Sequence, residues 1–190
     1  MKLCIHNLSK HFGTLPVLEH LSMELESGNI YCLMAPSGKG KTTFFRILMG
    51  LESPDEGQIT GLEGKRIGAV FQEDRLCEAF TPVDNVLMVS SPSMTRSEVC
   101  EELRLLLPEE TLNRPVSTLS GGQKRRTAIC RALCAPSDLL VLDEPFTGLD
   151  NNTRQEVIQY LKKKSAGKLT LLSTHQESDI SLLQAVCLHL

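Results

Sequence analysis

A glycine-rich loop with two lysines stands between an apolar stretch and a segment with helical character. The loop, residues 35–43, reads APSGKGKTT and follows the mostly apolar residues 29–34. Its two glycines allow the backbone to curl tightly, so that successive N–H groups point inward at phosphate oxygens. The helix that begins near Lys41 adds the positive end of its dipole. This context predicts a phosphate-binding loop in which Lys41 reaches the β- and γ-phosphates and the Thr42 hydroxyl coordinates Mg²⁺.

The loop departs from the usual pattern at two positions. Ala35 replaces the customary first glycine, which is tolerable if the backbone there does not need positive φ, or at a strain of about 1 kcal/mol. Lys39 stands where a small residue is more common and brings a second positive charge. Alone, the loop could also be a chance turn rich in glycine and lysine. The residues predicted to contact the nucleotide here are Ala35, Pro36, Ser37, Gly38, Lys39, Gly40, Lys41, Thr42 and Thr43.

Two adjacent acids follow a second apolar run. Residues 139–142 read LLVL and lead directly into Asp143 and Glu144. Acids at the carboxyl end of a parallel strand lie where ligands bind in such sheets. Asp143 is therefore predicted to hold Mg²⁺ through water, and Glu144 to act as the base or positioner for an attacking water. By itself, such a pair more often makes a helix cap or a solvated corner.

The sequence Leu-Ser-Gly-Gly-Gln at residues 119–123 combines a helix start with two glycines. Ser120 and Gln123 have the spacing of a capping box, which is a purely structural explanation. A capping box does not explain Gly121 and Gly122 in the first helical turn, where glycine has poor propensity. Glycines there leave the backbone N–H groups open to close approach by an anion.

The elements that must position these motifs alternate between strands and helices. Extended stretches are predicted at residues 3–8, 21–25, 29–34, 67–71, 139–142 and 169–173, and helices at 41–49, 83–107 with an interruption at 90–95, 120–133 and 151–164. Strand, helix and strand in sequence imply parallel pairing with a crossover. The pattern predicts one α/β domain, with a nucleotide-binding core at 1–82 and 136–190 and an inserted helical subdomain at 83–135.

The order of the motifs resembles one family. The run LSGGQ, followed by KRR and AICRAL, is similar to the signature motif and helix of ABC (ATP-binding cassette) ATPases. The resemblance covers nearly the whole chain and implies a P-loop NTPase core, with a mostly parallel sheet and an N-terminal antiparallel part. It assigns Phe12 to stacking on adenine, although an ordinary core phenylalanine is the alternative. It also assigns Gln72 to Mg²⁺ and to coupling with the helical subdomain, residues 147–150 to the D-loop that crosses to the partner, and His175 to the γ-phosphate.

The resemblance further implies how the motifs work together. Two cassettes pack head to tail, and each ATP lies between the phosphate loop of one and the signature of the other. Ser120, Gly121, Gly122, Gln123 and Asp150 would thus serve a nucleotide shared with a second ABC subunit, most simply a second copy of this chain. The catalytic residues implied are Lys41, Gln72, Glu144 and His175, with ATP and Mg²⁺ as cofactors.

Composition narrows the class of protein. The 190 residues are 41% hydrophobic and 23% charged, with a formal net charge of −3, which gives no reason to expect nucleic-acid binding. No apolar run approaches the roughly 20 residues of a membrane-spanning helix, and the N-terminus lacks the apolar stretch of a secretion signal. The seven scattered cysteines are interpreted as small buried residues in a reducing compartment, with a metal clip at Cys130 and Cys134 as the alternative.

Three functional classes remain. The segment GAVFQEDRL at residues 68–76 is similar to the glutamine loop of small-solute importer ATPases of the nitrate, sulfonate and taurine group. This favours the energising subunit of a transporter, cytoplasmic and held at the inner face of the cell membrane by an integral permease, with a solute-binding protein as a further partner. The alternatives are a soluble ABC ATPase that assembles or remodels other macromolecules, and a nucleotide-binding scaffold with little turnover.

Overall fold

The computed structural model describes residues 1–36 and 38–190, so Ser37, predicted to contact nucleotide, lies outside the described residues. The strands are β1 (Lys2–Phe12), β2 (Leu15–Glu26), β3 (Ile30–Met34), β4 (Glu56–Thr60), β5 (Ile67–Val70), β6 (Leu139–Leu142), β7 (Leu169–Ser173) and β8 (Val186–His189). The α-helices are α1 (Lys41–Leu48), α2 (Pro82–Leu87), α3 (Arg96–Arg104), α4 (Gly121–Cys134), α5 (Asn151–Lys164) and α6 (Glu177–Leu183). Short 3₁₀ turns occupy Glu109–Thr111 and Val116–Thr118.

The strands form two sheets of different kinds. An antiparallel sheet has the order β2-β1-β4, and a five-stranded parallel sheet has the order β5-β6-β7-β3-β8. In the parallel sheet, β6 pairs with β5 and β7, and β3 pairs with β7 and β8. All five parallel strands therefore end at one edge, where the loops that follow them meet. This architecture confirms the predicted P-loop NTPase fold with an N-terminal antiparallel part.

The central strands β3, β6 and β7 of the parallel sheet are buried on both faces, which explains why they are largely apolar. Alternate residues of one strand face opposite sides, so Leu140 and Leu142 pack with the helices α2, α4 and α5. Leu139 and Val141 instead pack with α1 and the antiparallel sheet, against Phe44 and Phe45. The sheet thus separates two apolar layers and fixes the orientation of the loops at its edge.

Helices α2, α3 and α4 pack against one another and against the sheet. Helices α2 and α3 each begin with a capping box, Thr81 with Asp84 and Thr95 with Glu98, which satisfies free N–H groups of the first turn. Apolar residues of all three helices belong to the same buried cluster as β6 and β7. The division into a core and a helical subdomain at residues 83–135 stays a prediction.

Most predicted elements are present with small shifts at their ends. Strands β6 and β7 have the predicted bounds, and Gly50 follows α1 with φ 68°, the left-handed conformation typical of a helix terminator. Strands β4 and β8 and helix α6 were not predicted from the sequence. Within the described ranges, no helix has the length and apolar character needed to cross a bilayer.

The cysteines fit their predicted role only in part. Cys32 and Cys130 are buried, but Cys77 and Cys187 are exposed, so for the latter two the prediction of small buried residues is wrong. The Cys130 and Cys134 sulfurs lie 3.9 Å apart. Over residues 1–36 and 38–190, His, Cys, Asp and Glu form no group of three or more suited to a metal ion.

Candidate functional site

Four parallel strands deliver the predicted site residues to one edge of the sheet. The glycine-rich loop follows β3, Gln72 follows β5, Asp143 and Glu144 follow β6, and His175 follows β7. These strands are adjacent in the sheet, so residues far apart in the sequence are brought close together. The carboxyl edge of a parallel sheet is the usual location of a ligand site.

Two glycines of the glycine-rich loop have the backbone conformation that the sequence predicts. Gly38 and Gly40 have φ of 79° and 88°, and Gly40 stands immediately before α1. A Cβ at Gly40 would lie 2.6 Å from the carbonyl oxygen of Val17, so a side chain there is excluded by space as well as by conformation. Both glycines therefore serve the curl that exposes inward N–H groups.

The two residues that depart from the usual loop pattern, Ala35 and Lys39, introduce no left-handed backbone strain. Positive φ among described residues other than glycine occurs at Asn7, His20, Arg75, Glu144 and Gln184, so Ala35 carries no left-handed strain. The side chain of Lys39 is exposed at the surface of the loop.

Lys41 folds back across the loop that precedes it. Its ammonium group donates to the carbonyl oxygens of Ala35 at 2.6 Å and Pro36 at 3.2 Å, and the residue is only 5% exposed. A lysine so placed holds a positive charge against the carbonyl groups at the start of the loop. The contact of Lys41 with an anion would exchange carbonyl acceptors for phosphate oxygens.

Thr42, Asp143 and Ser173 form a chain of hydrogen bonds beside the loop. The Thr42 hydroxyl donates to one oxygen of Asp143 at 2.7 Å, and the Ser173 hydroxyl donates to the other at 2.7 Å. The Gln72 side chain donates to Thr42 Oγ1 at 3.3 Å. A hydroxyl, a carboxylate and an amide that can present its oxygen therefore converge, which is the donor chemistry that suits Mg²⁺.

Glu144 is held in an unusual backbone conformation. Its φ of 48° is left-handed, which costs a residue with a Cβ roughly 1–2 kcal/mol. The Glu144 N–H donates to Ser173 Oγ at 2.9 Å, and its carboxylate lies 2.7 Å from His175 Nε2. The surrounding hydrogen bonds thus fix a conformation that points the carboxylate at His175.

A cavity of about 200 Å³ joins these groups. Phe12, 49% exposed, forms one wall, and Lys41, Thr42, Gln72 and Glu144 form the others. An exposed aromatic ring beside a phosphate-type loop is suited to stacking on a base. The structure therefore brings together the predicted phosphate, metal and catalytic residues with Phe12.

The signature residues lie apart from this group. Ser120 caps α4 by accepting from the Gln123 N–H at 3.3 Å, and Gln123 Oε1 accepts from the Ser120 N–H at 3.0 Å. A Cβ at Gly121 would meet nothing within 4 Å, so this helix start is open. In the part of the chain that the structure describes, residues 120–123 do not line the cavity of Phe12 and Lys41. Within one chain the signature therefore does not complete the site.

Asp150 is the N-cap of α5. One carboxylate oxygen accepts from the N–H groups of Asn152 and Thr153, each at 3.1 Å. Hydrogen bonds from Thr153, and after it from Asn152, hold the pKa of Asp150 below its ordinary value. This structural role is established by the contacts, while a role of Asp150 towards nucleotide stays a prediction.

A second cavity of about 360 Å³ lies on the other side of Glu144. It is lined by residues 146–149 and 174–176 together with Glu144 and Arg154. Arg154 forms a buried ion pair with Asp179, which also accepts from the Thr174 hydroxyl. The start of α5, the end of β7 and α6 are thereby joined around His175.

Sequence reasoning missed several residues that shape the site. Ser173 was interpreted as the last residue of an apolar strand, yet it orders both Asp143 and Glu144. Arg125 was assigned only to the signature helix, yet its Nη2 donates to the Glu144 carbonyl at 3.0 Å. The only signal for Ser173 was a polar residue at the end of an apolar run, next to the predicted His175.

Comparisons with known proteins agree with this geometry. A sequence model of the ABC transporter family matches residues 18–147. The sulfate/thiosulfate import ATP-binding protein CysA of Nephroselmis olivacea is 34% identical over 94% of this chain and 57% of its own length. CysA of Synechocystis is 37% identical over 86% of this chain and 50% of its own. The chain thus spans about half the length of these curated relatives.

A solved structure shows the same architecture. The ATP-binding cassette MJ0796, determined as a dimer in a post-hydrolysis state bound to ADP and Pi, superposes with a TM-score of 0.85. It is 27% identical, and the alignment covers 99% of this chain and 94% of that one. Together with the family match over residues 18–147 and the motifs at the edge of the sheet, these likenesses show that the chain belongs to the ABC transporter ATPase family.

Proposed function

We propose that this chain binds Mg-ATP between two ABC subunits and hydrolyses it to ADP and phosphate, driving transport through a separate membrane subunit. The observation that carries the proposal is the convergence of Lys41, Thr42, Asp143, Glu144 and His175 at one edge of the parallel sheet. These groups supply phosphate binding, metal binding and water activation within one small region.

The nucleotide is held first by its phosphates. The backbone at Gly38 and Gly40, the start of α1 and the Lys41 ammonium group would all present positive charge to the phosphates. Lys39 adds a further charge at the rim. Phe12 would stack on the adenine base, since its ring is half exposed on the wall of the same cavity.

Mg²⁺ fits the oxygen groups beside the loop. Thr42 would ligate it directly, Gln72 through its amide oxygen, and Asp143 through water. The ion supplies neutralisation of phosphate charge during in-line transfer. Ser173 keeps Asp143 oriented, because its hydrogen bond to the second carboxylate oxygen does not depend on Thr42.

Glu144 and His175 would handle the attacking water. The Glu144 carboxylate would orient the attacking water or accept its proton. His175 Nε2, 2.7 Å from Glu144 Oε1, would anchor the carboxylate next to the γ-phosphate. Because phosphoryl transfer depends mainly on placement and charge neutralisation, the fixed backbone of Glu144 is itself part of the catalytic arrangement.

The open start of α4 would complete the site of a second subunit. Ser120, Gly121, Gly122 and Gln123 offer a helix N-terminus to the γ-phosphate bound by the partner, and the loop that ends at Asp150 would run along the same interface. ATP would then hold the two subunits closed, and loss of phosphate would let them open. A homodimer is the simplest assembly, and the related cassette MJ0796 is itself described as dimeric.

The membrane partner is proposed from the relatives and from the surface. The curated relatives named above are import ATP-binding proteins, which favours a small-solute importer. Phe80 and Met88, at α2, are about half exposed and border an open cavity of about 490 Å³ with Leu87 and Asp84. Such an apolar surface, on α2 and the residues just before it at the start of the proposed helical subdomain, suits a permease segment. The chain would thus lie on the cytoplasmic face of the membrane, and a solute-binding protein would deliver the solute.

The test is to purify tagged Glu144→Gln protein from cells in mild detergent with Mg-ATP and to identify what accompanies it. An integral membrane protein in near-equal amount supports the transporter subunit. Recovery with only soluble partners or ribosomes would contradict it and would favour a remodelling ATPase. Phe80→Ser and Met88→Ser in the same background should lose the membrane protein, while Leu105→Ser, an exposed apolar residue beyond α3, serves as the matched control.

A further inference from the structure

Arg125 is a buried cation on α4 that contacts two separate loops of the site. Its Nη1 donates to the carbonyl oxygen of Phe71 at 2.6 Å and to Asp74 Oδ1 at 3.1 Å. Its Nη2 donates to the carbonyl oxygen of Glu144 at 3.0 Å. The side chain is 5% exposed. One guanidinium group therefore joins the signature helix, the loop that contains Gln72 and the backbone of Glu144.

Arg125 holds its partners by hydrogen bonds of fixed direction as well as by its charge. A buried guanidinium needs acceptors for its N–H groups, and a planar fork can bind two groups at a fixed mutual distance. Asp74 offsets the charge, and the two carbonyl oxygens fix the plane. Because the guanidinium is rigid, a shift of α4 or of Phe71 also shifts Arg125 Nη2, which donates to the Glu144 carbonyl oxygen.

Glu144 depends on such support more than its neighbours do. Its left-handed φ of 48° is held on one side by the bond from its N–H to Ser173 and on the other by the bond from Arg125 to its carbonyl oxygen. The Thr147 N–H donates to the same carbonyl oxygen at 3.2 Å. Loss of the Arg125 contact would leave this carbonyl oxygen to the longer bond from Thr147, and would so loosen the peptide and the placement of the carboxylate beside His175.

We propose that Arg125 is a positioning residue that makes the placement of the Glu144 carboxylate depend on the placement of the signature helix and the Gln72 loop. The proposal deepens and rests on the proposed ATPase function. It gives a physical route by which engagement of the signature in a dimer, or movement of the Gln72 loop, reaches the attacking water. Among the described residues, Arg125 is not part of the lining of the cavity formed by Phe12, Lys41, Thr42, Gln72 and Glu144.

Arg131 provides a matched control on the same helix. Its Nη1 and Nη2 donate to the carbonyl oxygens of Arg75 at 2.7 Å and Asp74 at 3.0 Å. Arg131 thus binds the same loop as Arg125, but no contact with Glu144 is found for it among the described residues. A difference between variants of the two arginines isolates the contact with Glu144.

The experiment combines amide hydrogen exchange with steady-state kinetics on Arg125→Met and Arg131→Met. In Arg125→Met, amide exchange across residues 143–147 should rise about tenfold without nucleotide, because this segment opens more often. The reporting N–H groups are those of Glu144 and Thr147, since the Glu144–Pro145 peptide has none. Its kcat for Mg-ATP should fall about tenfold or more with KM within about threefold, since a misplaced catalytic group costs rate rather than binding. Arg131→Met should change both quantities by less than about threefold.

Each outcome has a distinct meaning. Equal exchange across residues 143–147 in the two variants overturns the positioning role, whatever the kinetics show. A normal kcat of Arg125→Met with raised exchange also overturns the positioning role, because the order of the Glu144 backbone would then not affect turnover. Absence of hydrolysis in the unmodified protein would defeat the proposed function, while exchange would still decide whether Arg125 orders Glu144. If Arg125→Met does not fold, Arg125→Lys keeps the charge beside Asp74, lacks the fork and should show the same changes.

Discussion

Removal of Asp179 should destabilise the fold far more than removal of an exposed acid. Asp179 is 0% exposed and accepts from Arg154 through both carboxylate oxygens, with Arg154 Nε at 2.7 Å, and from the Thr174 hydroxyl. In Asp179→Ala, the Arg154 guanidinium stays in place without its partner. The cost is therefore that of an uncompensated buried charge.

The size of this effect follows from the burial of the pair. Breaking a buried ion pair from one side costs about 3–5 kcal/mol, against a total stability of about 5–15 kcal/mol for a domain. For a chain of this length, each kcal/mol lowers Tm by about 2–4 °C. Asp179→Ala should thus lower Tm by about 6–20 °C.

Thermal and urea unfolding followed by circular dichroism measure this change. Glu24→Ala, which breaks the exposed pair with Lys2, is the control and should leave the midpoint unchanged. The double variant Arg154→Met/Asp179→Val should recover part of the loss, because it removes both charges, although the Thr174 hydroxyl loses its acceptor. A Tm of Asp179→Ala equal to that of Glu24→Ala would refute the argument that the pair is a buried, mutually dependent unit.

Three further perturbations have defined outcomes. Lys41→Ala should abolish Mg-ATP binding in calorimetry, and tight binding would contradict the assignment of the loop. Hydrogen bonds from the Thr81 hydroxyl, then from Arg96, lower the pKa of Asp84, so the carboxylate stabilises the fold at neutral pH and this stabilisation is lost as pH falls through the folded pKa. In Asp84→Asn the urea midpoint should therefore depend less on pH below about pH 4, and an unchanged pH dependence would count against this. The Cys130 thiol lowers the pKa of Cys134, so iodoacetamide should label Cys134 at a lower pH than an ordinary thiol, and Cys130→Ala should move this labelling to higher pH; no movement would exclude the thiol contact as the cause.

The motifs were predictable because each places a particular residue type where the local backbone conformation requires it. Gly38 and Gly40 both have the positive φ that a curled loop requires, and the acids at the end of β6 lie beside the loop as a parallel sheet demands. The two buried strands β6 and β7 were recognisable because they are apolar on both faces. These features are local, so the sequence contains them directly.

The supporting contacts were not predictable, because they depend on the relative placement of distant segments. Arg125 reaches Glu144 only because α4 packs across β5 and β6, and the Arg154–Asp179 pair forms only because α5 and α6 are neighbours. Strand β8 was missed because its exposed, mixed residues, Val186 and Cys187, resemble a loop in sequence. Tertiary pairing, not local propensity, makes it a strand.

The most direct test of the account is the mass of Glu144→Gln protein in solution, measured by light scattering with and without Mg-ATP. Two chains should associate when Mg-ATP is bound and separate without it, because in the proposed dimer each signature start would complete the site of the other. Ser120→Arg in the same background should still bind ATP and stay a single chain. Tight Mg-ATP binding by Glu144→Gln with no change in mass would contradict the claim that the nucleotide is shared between two subunits.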